Sequence, residues 1–277
     1  MKLIDGKRVK EEIINNLKKK TQNLDLSLAV IQLGNDKASD IYIEQKFKMC
    51  DELNITFRHY NFAENISEED LLSLIDKLNH DNTTAILLQL PIPRSFNLEK
   101  LQNAIDPKKD VDGFNYINIA KLYNNKPCLV PCTAKGIMTL LDYYKVDYTA
   151  KNIVIVGRSN LIGKPLFHLL LNKNATVTLC HSKTKDLGKI TKKADILISA
   201  TGCKHLITKD MVKTGAIVID AGITREDKLY GDVDFENVKT KVSMITPVPG
   251  GVGPMTIAIL ANNICEAYLM QNEKSSN

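Results

Sequence analysis

A recurring kind of apolar run constrains this chain more than any other feature. Leu26–Leu33 reads LSLAVIQL and Thr84–Leu90 reads TAILLQL. Each is almost uninterrupted, and each is stopped by turn residues: Gly34-Asn35-Asp36 after the first, Pro91 and Pro93 after the second. A strand with one wet face alternates apolar and polar residues, whereas a short unbroken run suits a strand buried on both faces. Amphipathic stretches lie before and between these runs. Residues 7–20 read as a helix, as does a segment from Ser39, taken as N-cap, to about Leu53. Ser67–Leu78 is a third, opened by Ser-Glu-Glu-Asp. With Ile55–Tyr60 as a further strand the order is β-α-β-α-β, which implies a parallel sheet.

A second alternating series follows the stretch KPCLVPCTAKG. The pattern predicts a helix over about 135–145 and strands at Asn152–Val156, Thr176–Cys180, Ile196–Ala200 and Ala216–Asp220. A helix from the turn after the first of these to about Asn172, and a last one over 255–270, complete the series. The terminal QNEKSSN reads as a frayed tail. The fold class is therefore α/β with two domains, joined near 116–135 and meeting again near 246–256. The expected boundaries are 1–119 and 120–254, with the helix from 255 packing back on the first domain.

Composition narrows the function. The chain has 277 residues, 44% hydrophobic and 25% charged, which excludes disorder as the dominant state. The net charge of +5 is mild. Its densest basic cluster, Lys18 to Lys20, ends a helix and complements the helix dipole, so no nucleic-acid partner is expected. A small positive balance does suit anionic small substrates. No apolar run approaches the roughly 20 residues that span a bilayer, so no membrane association is expected. The N-terminus lacks an apolar leader, and six cysteines show no framework spacing, which points to a reducing cytoplasm.

The residues with chemistry cluster in a few motifs. IVIVGRSNLIGKP, residues 153–165, runs from a buried strand through Gly157, Ser159 and Gly163 into a helix. It is a Rossmann-type turn, G-x-S-x-x-x-G, whose helix N-terminus offers amides and a positive dipole to a pyrophosphate. Dinucleotide sites for NAD place an acid at the end of the next strand. Here that strand ends Cys180-His181-Ser182-Lys183, and Arg158 sits inside the turn. A basic, hydroxylic surround favours the 2′-phosphate of NADP; a solvent-facing Arg158 is the alternative.

Tyr42 and Lys46 are four apart on one helix face. Taken alone they read as a surface cation–π pair. Gln89 ends a buried strand, at the carboxyl edge where open α/β sheets bind ligands; a strand-end residue capping a loop is the alternative. KKDVDGF, residues 108–114, puts Asp110 and Asp112 beside Gly113, as a turn held by Asx bonds or as a carboxylate aimed at a ligand. TPVPGGVGPMT, residues 246–256, is a stiff turn with exposed amides, a cofactor rim or a hinge. Cys128 and Cys132 have no second ligand pair at zinc spacing, and His59, His80, His168, His181 and His205 show no H-E-x-x-H pattern, so no metal site is expected.

Together these segments resemble the bifunctional methylenetetrahydrofolate dehydrogenase/cyclohydrolase family (FolD). The matching stretches are LAVIQLGNDKASDIYIEQK, LLQLPIP, DPKKDVDGFN, PCTAKG, VGRSNLIGKP, CHSKT, GDVDF and TPVPGGVGPMT, in the family's order from residue 28 to residue 256. The resemblance implies an N-terminal folate-binding catalytic domain and an NADP-binding domain with a cleft between them. It places Tyr42, Lys46, Gln89 and Asp112 on the folate-site positions, with Lys46 as the catalytic lysine. Gly157, Arg158, Ser159, Ser182 and Ile223 fall on cofactor positions. Ala134, Lys37 and Ala120 depart from the family pattern, replacing two prolines and a common glycine, and are expected to touch loop stiffness only.

The implied reaction has two steps. 5,10-Methylenetetrahydrofolate gives hydride to NADP, and water converts the resulting methenyl cation to 10-formyltetrahydrofolate. Lys46 is expected to manage protons in the second step, with Gln89 holding its amine and biasing it toward the neutral form. Tyr42 is expected to pack on the folate and Asp112 to accept from its amino-pyrimidine edge. The family further implies a homodimer serving one-carbon metabolism in purine, histidine and methionine biosynthesis. A dehydrogenase without cyclohydrolase activity and a non-enzymatic NADP-binding regulatory module are the alternatives.

Overall fold

The structure is a computed structural model that describes residues 1–273, without the side chains of Lys37 and Ala38. The elements run β1 (Lys2–Leu3), α1 (Gly6–Thr21), β2 (Ser27–Leu33), α2 (Lys37–Glu52), β3 (Thr56–Phe62), α3 (Glu68–His80), β4 (Ala85–Leu88), α4 (Leu98–Ala104), α5 (Tyr116–Tyr123) and α6 (Cys132–Tyr143). There follow β5 (Asn152–Val156), α7 (Gly163–Leu171), β6 (Thr176–Cys180), α8 (Leu187–Thr191), β7 (Ile196–Ser199), β8 (Ile217–Asp220), β9 (Thr224–Arg225), β10 (Leu229–Tyr230), α9 (Phe235–Val238), β11 (Met244–Ile245) and α10 (Val252–Asn272). The chain divides into two compact units. One holds Glu12–Cys132 and the residues from 257 on; the other holds Met1–Glu11 and Thr133–Thr256.

The first unit is built on a parallel sheet in the order β3-β2-β4. All seven residues of β2 are buried, which is why its sequence shows no alternation. The two faces still divide with period two. Leu28 and Val30 enter a core with Ile14 and Leu17 of α1, Met49 of α2 and Leu53 at its C-cap, and Ile257, Leu260 and Ile264 of α10. Ala29, Ile31 and Leu33 meet Leu71, Ile75 and Leu78 of α3 on the other side. Between residues 257 and 267 α10 is buried at all positions but Asn262 and Glu266, as a helix enclosed by its own unit is.

Three local expectations are corrected here. Asp36, not Ser39, caps α2: its carboxylate accepts from the Ser39 N–H at 2.9 Å and from the Ser39 hydroxyl at 2.8 Å. Ser39 is thus the third helical residue, whose orphan N–H a cap has to satisfy. The tail begins later than expected. Gln271 and Asn272 are helical, and the Gln271 amide donates to the carbonyls of Thr84 and Ala267, each at 2.9 Å. Residues 274–277 of that tail lie outside the described residues. Ala134 and Ala120 lie in α6 and α5, and Lys37 opens α2, so the three family departures fall in helices rather than loops. A glycine exchanged for alanine within a helix gains about 0.5–1 kcal/mol, so Ala120 stabilises α5.

The second unit carries a six-stranded sheet in the order β1-β11-β8-β7-β5-β6, with every pairing parallel. Register sets Val156 beside both Cys180 and Ser199, and Ser199 beside Asp220. The carboxyl ends of β5 to β8 therefore form one level edge. From β5 the chain goes to β6 on one side and returns to β7 on the other, the switch point at which open α/β sheets bind ligands. The first residues of the chain belong to this sheet, because β1 pairs with β11. The break in the chain at Cys132 and Thr133 likewise differs from the expected 119/120, which falls inside α5. The TPVPGGVGPMT turn is braced within the same unit: the Gly6 N–H donates to the Gly250 carbonyl at 2.9 Å, and a Cβ on Gly6 would strike the Gly251 carbonyl. Among the described residues no helix is long and apolar enough to cross a membrane.

Candidate active site

In the first unit, folding brings α2, the end of β4 and the KKDVDGF segment together. Gln89 follows β4, and its backbone N–H donates to the Ile31 carbonyl at 2.8 Å. Its side-chain amide donates to the Leu90 carbonyl at 2.7 Å, which turns the amide oxygen toward α2. There the Lys46 amine donates to that oxygen at 2.5 Å. Lys46 is buried, whereas Tyr42, one turn earlier, is 38% exposed. The surface cation–π reading thus fails for Lys46. Burial lowers the Lys46 pKa, against the attraction of Asp112 and of the nearby Cys132 and Cys50 thiols. The bias toward a neutral amine comes from desolvation; an amide oxygen accepts from either protonation state, so Gln89 orients the amine rather than discharging it.

The two carboxylates of KKDVDGF divide the roles that sequence left open. Asp110 is buried and accepts from the backbone N–H of Gly113 at 3.1 Å and of Asn115 at 2.7 Å, and from the Asn118 amide at 3.0 Å. It builds the turn, which needs Gly113 at φ +71°. A parallel bridge between Ile86 and Asp110 lays the segment beside β4 and carries Asp112 toward the end where Gln89 lies. Asp112 keeps part of its surface open, yet burial of its carboxyl pushes the pKa up to about 6, against the pull of Lys46 and with the push of Asp110. An amine that burial biases toward its neutral form and a carboxyl raised to about 6 are the kinds of group that acid–base chemistry uses.

Sequence reasoning missed the support of this site. Asn263 of α10 is fully buried, and its amide reaches the carbonyls of Val111 at 2.8 Å and Val130 at 2.9 Å and the Cys132 sulfur at 3.6 Å. It ties the segment that leads into Asp112 to the one that carries Val130 and Cys132. Two adjacent asparagines inside an apolar helix, ILANNICEA, were the available signal.

In the second unit the expected cofactor residues lie along the carboxyl edge. Gly157 follows β5 at φ +122°, and a Cβ there would strike the Ala200 carbonyl beyond β7. Gly163, buried, opens α7 against the Gly157 carbonyl in the same manner. Ser159 braces the turn by accepting from the Ile162 N–H at 3.2 Å. Arg158, Ser159, Ser182 and Ile223 are all exposed. No carboxylate stands at the end of β6, where His181-Ser182-Lys183 follow. A glycine cradle, a helix N-terminus and exposed Arg and Ser side chains fit a phosphorylated dinucleotide.

The catalytic-domain model described as tetrahydrofolate dehydrogenase/cyclohydrolase matches residues 4–112, and the corresponding NAD(P)-binding-domain model matches residues 131–272. The chain belongs to the tetrahydrofolate dehydrogenase/cyclohydrolase family. It is 50% identical to the bifunctional protein FolD of Agathobacter rectalis over 96% of this chain and 98% of that one. The crystal structure of the bifunctional dehydrogenase/cyclohydrolase of Campylobacter jejuni superposes with a TM-score of 0.96, at 45% identity, covering 98% of this chain and 99% of that one. The Trypanosoma brucei dehydrogenase-cyclohydrolase, solved with NADP cofactor and an inhibitor, has a TM-score of 0.93 at 31% identity, covering 98% of each chain. As a member of this tetrahydrofolate family the protein is an enzyme, with a dehydrogenase and a cyclohydrolase activity in one polypeptide.

Proposed function

We propose that Lys46, Gln89, Asp112 and Tyr42 carry the folate chemistry of this enzyme, and that Gly157, Arg158, Ser159, Ser182 and Ile223 hold its NADP. The enzyme oxidises 5,10-methylenetetrahydrofolate to the methenyl cation and hydrolyses that to 10-formyltetrahydrofolate. The observation that carries the residue assignment is the buried Lys46 amine, oriented by Gln89 near a carboxyl raised to about 6. NADP, when bound, accepts the hydride. Gly157 gives the pyrophosphate room, the α7 N-terminus faces it, and Arg158 with Ser182 takes the 2′-phosphate.

In the second step water must lose a proton as it adds to the cationic carbon. A neutral Lys46 amine takes that proton, and Gln89 keeps the amine aimed. The neutral adduct then opens, its hydroxyl losing a proton as the C–N5 bond breaks and N5 gains one, so that 10-formyltetrahydrofolate forms with net release of one proton. The bound cation lowers the lysine further, so the base is readied by its own substrate. Asp112 accepts paired N–H bonds from the amino-pyrimidine edge, and exposed Tyr42 covers the folate and limits the freedom of Lys46. The cytoplasmic homodimer supplying one-carbon units for purine, histidine and methionine synthesis rests on the family resemblance.

The deciding experiment follows methenyltetrahydrofolate absorbance with methylenetetrahydrofolate and either NADP or NAD. Formation followed by decay, faster with NADP, is expected. Formation without decay would leave a dehydrogenase alone, and no formation would leave a binding module.

A further inference from the structure

The carboxyl edge of the six-stranded sheet holds a second carboxylate pair that the reaction above does not use. Asp220 ends β8 and Asp232 follows β10; both are buried, Asp232 completely. Asp232 gathers donors from the segment after β7. Its Oδ2 accepts from the Ser199 hydroxyl at 2.7 Å, the Thr201 N–H at 2.7 Å and the Thr201 hydroxyl at 2.8 Å, and its Oδ1 from the Cys203 N–H at 2.9 Å. Asp220 does the same for the segment after β8 and for Asp232 itself. Its Oδ1 accepts from the N–H groups of Gly222 and Asp232, each at 3.0 Å, and its Oδ2 from the Val233 N–H at 2.8 Å. Glycines admit both carboxylates, since a Cβ on Gly222 would strike Asp232 and one on Gly231 would strike Asp220.

Such a pair is expensive. Burial above all, and Asp232 in addition, push Asp220 up to about 7, against the N–H bonds it accepts. Buried charge is a poor source of stability; what it can supply is a fixed shape. The shape fixed here is that of two surface segments, 200–203 and 221–223, at the switch point of the sheet. The first also supplies Ala200, against which the Gly157 turn closes, and the second ends at Ile223.

We propose that Asp232 is a positioning residue for the dehydrogenase step, acting through the backbone of Thr201, Cys203 and, by way of Asp220, Gly222 to hold the loops that border NADP. This rests on the reading that NADP lies along this edge. Its signature is a loss confined to cofactor binding, because the folate groups belong to the other unit.

Two variants test it, with Arg158→Ala run beside them. Asp232→Asn keeps the shape but loses a charged acceptor, and Thr201→Val removes one donor at the outer end of the network. The measurements are KM for NADP, KM for folate, kcat of the dehydrogenase and the rate of methenyl hydrolysis. Asp232→Asn should raise the NADP KM about 10- to 100-fold and Thr201→Val about 3- to 10-fold, the span of a charged and a neutral hydrogen bond. Folate KM and hydrolysis should stay within about twofold of wild type, no more than a surface substitution would change them. If Asp232→Asn does not fold, Thr201→Val decides. Equal losses in both activities for Thr201→Val would mean general structural damage and overturn the proposal. A raised NADP KM for Arg158→Ala, with none for Thr201→Val or Asp232→Asn, would overturn the positioning role alone. No change in any of the three would overturn the placement of NADP and the proposal with it.

Discussion

The two units handle polar groups in opposite ways. In the first unit the groups assigned to chemistry are inside: Lys46 is buried and lowered, Asp112 is raised to about 6, and Tyr42 stands exposed beside them. In the second the groups assigned to cofactor binding are outside, and the buried carboxylates, Asp220 and Asp232, face loop amides. The difference follows from the tasks. A proton-transfer group needs its pKa moved toward working pH, and desolvation does that. A group that recognises a phosphate has to reach a ligand that arrives from solvent, and exposure leaves it free to do so.

The largest test of this contrast is Lys46→Met, which keeps the apolar stem and removes the amine. Methenyl hydrolysis should fall about 10²- to 10⁴-fold, the range for a lost acid–base group, while the dehydrogenase survives better and methenyltetrahydrofolate accumulates. Hydrolysis at the wild-type rate would remove Lys46 from the chemistry, and equal loss of both activities would make it a folate-positioning group. The pH profile sharpens the point. A lowered lysine pKa means the neutral base gains as pH rises, so wild-type hydrolysis should climb with pH through that lowered value, and the variant should lack the climb.

Asp112→Asn should be next in size. Loss of a charge-assisted bond is worth about 1.5–3 kcal/mol, so folate KM should rise about 10- to 100-fold and both activities suffer at subsaturating folate. Because the carboxyl is raised to about 6, it ionises only as pH rises through that value, and wild-type folate KM should fall across the same window. The asparagine variant should show no such window. An unchanged KM would return Asp112 to the turn-forming role that Asp110 already fills.

On the exposed side the effects should be smaller. Arg158→Ala should weaken NADP about tenfold, near the lower end for a charged hydrogen bond, and leave NAD little changed; initial rates with each cofactor measure it. An equal effect on both would mean that Arg158 does not read the 2′-phosphate. Smallest of all, Ala120→Gly should lower stability by about 0.5–1 kcal/mol in denaturant melts and leave both activities intact, because α5 is helix and gains from alanine. A loss of activity there would tie α5 to the site more closely than its exposed position suggests.

Sequence alone was sufficient for the strands β2 to β8, for the glycine turn after β5, and for the motifs that carry Lys46, Gln89 and Asp112. These are legible because double burial writes itself as an unbroken apolar run, and because a turn that must admit another backbone excludes every Cβ. The tertiary structure decided the rest. It separated Asp110 from Asp112, since which N–H groups a carboxylate meets depends on segments far apart in sequence. It put β1 on the distant β11, because two-residue strands are too short to carry a period. It recruited Asn263 from α10, 152 residues beyond Val111, to hold the turn under the site. It also gave Lys46 its lowered pKa, because desolvation is a property of everything packed around a group, and no stretch of sequence contains it.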